Sequence, residues 1–169
     1  MEFKVPTTCE TERLLLRQFK EPDCEALYAY YGNELATTFT MGRVLTEGES
    51  WRAMSSMVGH WYLRGFGPYA MVEKESDTVI GITGLWYPND WPEPEIKWAL
   101  APAYWGQGFA SEGARAVQTM AKQYLPDISL ISFIHSDNHA SRQLAEAVGC
   151  QLEKEVPFRG AVWCIYRHP

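Results

Sequence analysis

Short runs dense in β-branched and aromatic residues recur along this chain. They are separated by stretches in which apolar residues return every three or four positions. RLLLRQF, from Arg13, is the first run and reads as a strand buried on one or both faces. A helix is predicted after Glu21, with Pro22 in its first turn, running through DCEALYAYYG to Gly32. TEGE, from Thr46, has capping-box spacing and opens a second helix that ends near Gly65. PYAMVEK and TVIGITGLWY, joined through ESD, read as an antiparallel hairpin. EIKWAL follows as a strand, SEGARAVQTMAKQY as a third helix and ISLISFIH as a buried strand. DNHASRQLAEAVG reads as a short helix with Asn138 at its N-cap and Gly149 as its stop. QLEKEVPF, a turn at RGA and VWCIYR close the chain as a second hairpin. This order predicts a mixed α/β (α+β) layered fold. With no linker or repeat, residues 1–169 form one domain.

Composition narrows the function. Hydrophobic residues make up 46% and charged residues 21%, a globular balance. The net charge of −6 argues against a nucleic-acid partner, which needs a basic footprint. No apolar run approaches the ~18 residues of a membrane span, and no secretory signal is visible, so a cytoplasmic location is expected. Cys9, Cys24, Cys150 and Cys164 show no paired spacing, and no histidine stands near Cys150 or Cys164 in sequence to activate a thiol. His135, Asp137 and His139 straddle a strand-to-helix junction that turns them apart, so no metal is expected.

The loop APAYWGQGFASEG, Ala101–Gly113, lies between a strand and a helix. Gly106 and Gly108 allow positive φ and lack a Cβ, so successive N–H groups can converge, with the next helix adding its own unpaired donors. Such a turn is either a tight connection or a cradle for pyrophosphate. It is not a Rossmann fingerprint, because Ser111 replaces the third glycine, and it is not a P-loop, because no Gly-Lys-Ser/Thr follows.

EIKWALAPAYWGQGFASEGARAV followed by DNHASRQLAEAVGC resembles the GNAT superfamily of acetyl-CoA-dependent N-acetyltransferases, in particular its Rim-like branch. TERLLLRQF resembles that branch's opening strand. The resemblance implies a central, mostly antiparallel mixed sheet, splayed where the cofactor enters, with helices on both faces. It implies acetyl-CoA as co-substrate and a primary amine as acceptor, with no metal and no membrane or nucleic-acid partner. Pantetheine would lie between Glu95–Leu100 and Ser129–His135, paired with backbone near Ala99 and Leu100. N–H groups across Trp105, Gly106, Gln107, Gly108, Phe109 and Ala110 would hold the pyrophosphate, with Asn138, Ser141 and Arg142 on the cofactor's other side. Arg115, Lys122 and Arg142 are candidates for its 3′-phosphate. Two positions depart from the family pattern. Ala103 stands where a Gln or Arg is usual, and Ala145 where many relatives carry a tyrosine acid; this makes Ser141 the candidate acid.

Attack on a thioester needs a neutral amine. Deprotonating a lysine-type amine at pH 7 costs about 4.6 kcal/mol, against ~1 kcal/mol for an α-amine. Glu95, at the start of the strand leading to the thioester, is the candidate base, with His135 and Asp137 second. WYPNDWPEPE and ATTFTMGR are expected to wall the acceptor pocket. A non-catalytic acyl-CoA-binding or partner-binding module of the same fold is the alternative. Acceptor identity, and whether the chain is a monomer or a homodimer, stay open.

Overall fold

A computed structural model describes residues 2–169. One sheet forms the centre, with strands β1 (Thr8–Glu10), β2 (Leu14–Arg17), β3 (Pro68–Glu73), β4 (Thr78–Trp86), β5 (Glu95–Leu100), β6 (Ile131–His135), β7 (Gln151–Phe158) and β8 (Ala161–Arg167). Their spatial order is β1-β2-β3-β4-β5-β6-β8-β7. Neighbours pair antiparallel except β5 with β6, which run parallel. The helices are α1 (Asp23–Tyr31), α2 (Glu34–Thr37), α3 (Glu47–Arg64), α4 (Phe109–Tyr124) and α5 (His139–Ala147).

Alternation along β3 shows how the layers form. Tyr69 and Met71 face the core that contains Val117 and Met120 of α4. Ala70 and Val72 face Leu27 and Tyr30 of α1 and Met57 of α3. Successive side chains point to opposite faces, so a strand apolar throughout must be covered on both sides. Gly113 lets α4 lie close on the sheet, since a Cβ there would sit 3.0 Å from Met71 and 3.2 Å from Thr83.

Local signals set the helix ends. Thr46 and Glu49 exchange both capping-box hydrogen bonds, and α3 stops at Gly65 in the left-handed conformation. Two elements lie outside the sequence reading. β1 is an edge strand of three residues with no buried face, and α2 is a four-residue helix capped by Asn33. Neither is long enough to establish a period.

The feature that places the site is the β5–β6 pair. Its register comprises Glu95↔Ile131 alone, after which the strands part. The expected splay is present.

Candidate active site

The glycine turn is built as an open set of donors. Gly106 and Gly108 have φ of 72° and 81°, and Gly108 is the N-cap of α4 with no side-chain cap. The amides of Gly106, Gln107, Gly108, Phe109, Ala110 and Ser111 have no acceptor among the described residues; the first helical bond is Glu112 N–H to the Gly108 carbonyl at 3.1 Å. Trp105 is not part of this set, because its N–H closes a 3₁₀ turn onto the Pro102 carbonyl at 3.1 Å. Unpaired amides at a helix N-terminus, with the helix dipole behind them, favour an anion. The turn therefore fits the diphosphate of acetyl-CoA.

Arg13 of the N-terminal segment braces that turn. Its Nη1 donates to the Gln107 carbonyl at 2.8 Å, its Nε donates to Glu112 Oε2 at 2.7 Å, and its guanidinium lies 4.2 Å from the Phe109 ring centroid. Glu112 also accepts from Thr11 Oγ1 at 2.6 Å and from Arg13 N–H at 2.8 Å. Burial pushes the Glu112 carboxyl upward, but these bonds outweigh it and leave the pKa lowered. At the Ala103 position the structure offers only a backbone carbonyl, which accepts from Gln107 Nε2 at 3.0 Å.

At the splay, the bond from Ala101 N–H to the Ile80 carbonyl fixes the parity of the β4–β5 ladder. Hydrogen-bonded pairs alternate in an antiparallel ladder, so Ala99 pairs with Ile82 while Trp98 and Leu100 turn their backbones towards the gap. Ala99, named in the sequence reading for its backbone, is thus committed to β4. The Leu100 carbonyl is already taken by the Trp105 indole at 3.0 Å, which leaves the Leu100 N–H and the Trp98 backbone facing the gap.

Glu95 sits where the strands divide. It is 5% exposed, and its Oε1 accepts from Trp91 Nε1 at 2.8 Å. Its Oε2 accepts from Phe133 N–H of β6 at 3.0 Å, a donor that the diverging β5 backbone no longer meets. Burial raises its pKa to about 7 against the opposing pull of Lys97 and these two donors. Beside it, Ser132 Oγ donates to the Ile96 carbonyl at 2.7 Å and ties the strands together at the fork.

On the far wall, Ser141 Oγ accepts from Trp98 Nε1 at 2.8 Å, so its own proton is free for another acceptor. Asn138 caps α5 by accepting from Ser141 N–H at 3.2 Å. Arg142 is turned into the protein, with Nε on Tyr166 Oη at 3.1 Å and Nη1 on the Ser136 carbonyl at 2.9 Å. Arg115 likewise bonds the Ala147 carbonyl at 2.6 Å. His135 accepts from Asp137 N–H at 3.1 Å, which orients its ring within the junction. Among the described residues no group of three or more potential metal ligands forms, and no helix is long and apolar enough to cross a membrane.

Glu95, Trp98, Ser141 and Asn138 line one cleft of about 290 Å³. Phe39 and Met41 from one predicted wall and Trp86 and Trp91 from the other line the same cleft, so the two segments meet as expected. One contact lies beyond what sequence spacing shows. Cys150 does have a histidine partner, since the fold brings His168 Nδ1 to 3.3 Å from its sulfur. No cysteine lines the cleft, and burial pushes the Cys150 thiol up to about 11, so the pair offers no thiolate.

The acetyltransferase (GNAT) domain profile matches residues 13–151. The chain belongs to the GNAT acetyltransferase family. It is 28% identical over 151 residues to the uncharacterized N-acetyltransferase p20 of Bacillus licheniformis, covering 86% of this chain and 83% of that one. The crystal structure of an acetyltransferase from Agrobacterium tumefaciens str. C58 superposes with a TM-score of 0.86 at 26% identity, covering 100% of this chain and 97% of that one. The fold is also that of RimL, a ribosomal L7/L12 α-N-protein acetyltransferase solved with coenzyme A, with a TM-score of 0.74 at 18% identity over 97% of this chain and 96% of that one.

Proposed function

We propose that this GNAT enzyme transfers acetyl from acetyl-CoA to a primary amine by direct attack, with both substrates bound and no covalent enzyme intermediate. The observation that carries the reading is the row of unpaired amides from Gly106 to Ser111, which follows the end of β5 that has parted from β6. Bound acetyl-CoA supplies an activated thioester. The chain's own groups do the rest.

The amides grip the diphosphate, and the backbone of Trp98 and the N–H of Leu100 align the pantetheine arm in the gap. A donor in that edge also stabilises charge that develops on the thioester oxygen. Glu95 takes the proton from the incoming amine. At ~3.3 Å per residue, its Cα lies ~13 Å along β5 from that of Ala99, so the proton travels through water and not by direct contact. A pKa of about 7 leaves the carboxyl about half ionised at neutral pH, which suits a base working there. Ser141, with its oxygen held by Trp98, presents its hydroxyl proton to the departing thiolate. The α-amine of a ribosomal protein, the acceptor named for RimL, is one member of the acceptor class.

Calorimetry with acetyl-CoA, paired with free-thiol release in the presence of an amine panel, tests this reading. Gly108→Val forces a branched side chain into a left-handed position where a Cβ lies 3.3 Å from Arg13 Nη2. It should weaken acetyl-CoA binding tenfold or more; unchanged affinity would remove the cradle.

A further inference from the structure

The acceptor side of the cleft contains a lysine with no direct ion-pair or hydrogen-bond partner among the described residues. Lys97 leaves β5 on the same face as Glu95 and Ala99, because alternate residues of a strand share a face. It lines the cleft, half-buried, with Nζ 4.8 Å from the Trp86 ring centroid. Among the described residues it makes no hydrogen bond or salt bridge; Glu95, two residues away on the same strand face, attracts it only through space, and burial outweighs that attraction and lowers the Lys97 pKa. The other charges at this mouth are occupied. Asp90 pairs with Arg159 at 2.8 Å, and both Glu95 oxygens accept N–H groups. A cation drawn partly out of water without a direct hydrogen-bonded partner is costly, and an anion on an incoming molecule that bonds to it reduces that cost.

Opposite stands a continuous aromatic wall. Trp91, Phe133, Trp163, His135 and Phe39 follow one another with ring centroids 5.9, 5.1, 5.5 and 5.3 Å apart, and all line the cleft. Rings packed in this mixture of edge-to-face and tilted contacts accept a flat or bulky apolar group. A cleft of about 290 Å³ matches a small molecule.

The order along β5 sets the geometry. An amine at the open backbone of Trp98 and Leu100 is about 3 to 10 Å along the strand from the Lys97 position, one to three residues at the strand's rise. A carboxylate on the carbon next to that amine falls within reach of a lysine side chain. Resting on the acetyl-transfer reading above, we infer that the acceptor is a small zwitterion of the α-amino-acid kind, with Lys97 receiving its carboxylate and the aromatic wall its side chain. The same lysine repels polyamines and other polycations.

The test measures kcat/KM by thiol release for L-phenylalanine, L-phenylalaninamide, glycine and putrescine, with wild type and Lys97→Met. The amide has the less basic amine, so intrinsic reactivity favours it and works against the expected order. L-Phenylalanine should exceed each of the others tenfold or more in the wild type. In Lys97→Met its advantage over the amide should shrink to within threefold, through a raised KM, while calorimetry shows acetyl-CoA still bound. Equal or better use of the amide, glycine or putrescine overturns the inference and leaves acetyl transfer standing, as does a preference that survives Lys97→Met. No thiol release with any of the four also overturns it. That result reaches the acetyl-transfer reading itself only if calorimetry finds no acetyl-CoA bound to the wild type.

Discussion

Glu95 serves the fold directly and, in the proposed mechanism, the chemistry as well. Its carboxyl takes the Phe133 amide that the parting strands leave unpaired, and the burial this requires raises the pKa to about 7. A base must be ionised to act, so activity should rise through pH 6–7 and level off above, with a slope approaching tenfold per unit on the acid side. Glu95→Gln should lower kcat by about 10²-fold, within the usual range for general base catalysis, and abolish that limb; a pH–rate profile that keeps the limb would make Glu95 a structural wedge only. Ser141 is held in one orientation by the Trp98 indole. Ser141→Ala should slow single-turnover chemistry by about tenfold or more, again on the scale of acid catalysis, with little change in acetyl-CoA affinity. A change in affinity alone would assign Ser141 to binding. Both candidates were named from the sequence by position, Glu95 at the start of the strand that leads to the glycine turn and Ser141 in the first turn of the last helix. Lys97 was not, because a lysine in a strand reads as a solvated position until the strand's face is known.

Among the elements, the glycine turn and α4 form a unit whose ends come from distant parts of the chain. The open glycine turn was readable in Gly106 and Gly108, yet its brace was not, since Arg13 and Thr11 lie about a hundred positions away from Glu112. The family's usual side chain is missing at Ala103, and Arg13 steadies the turn from the other side. Arg13→Met should raise KM for acetyl-CoA about tenfold, roughly the loss of one charge-assisted bond. It should leave KM for S-acetylpantetheine, which lacks the diphosphate, within twofold. Equal damage with both donors would show that Arg13 acts only through stability. The capping box at Thr46 was fully legible because both partners lie within one turn of helix. β1 and α2 were not, being too short to carry a period.

For the molecule as a whole, the C-terminal end locks the fork. Ser132 gives its proton to the Ile96 carbonyl, so His168 Nε2 must donate to Ser132 Oγ at 2.9 Å. His168 Nδ1 then accepts from Gln118 Nε2 at 2.9 Å and from Cys150 Sγ at 3.3 Å, an arrangement that only neutral imidazole satisfies. Burial, reinforced by Lys122 and Arg167, lowers its pKa to about 4. A histidine depressed from its ordinary value stabilises the fold fully above pH ~6.5 and loses that contribution as pH falls towards 4. Its loss across that window is on the order of 2 kcal/mol after solvent screening, at ~1.4 kcal/mol per unit. Urea unfolding of wild type and His168→Asn should therefore converge in stability between pH 6.5 and 4, and a constant gap would refute the link. Glu95 opposes this trend, since a raised carboxyl favours the folded state as pH falls from about 7 towards 4.5, and only the difference between the two proteins isolates His168. The sequence by itself determined the elements long enough to show a period, the helix caps, the glycine turn and the family, because each depends on neighbours within a few residues or on a contiguous motif. Only the tertiary structure decided that β5 and β6 part after one pair, that Arg13 reaches the turn, that His168 meets Cys150, and that Lys97 lines the cleft without a direct partner among the described residues. Those depend on which distant strands become neighbours and on how much water burial removes, and neither is written in local spacing.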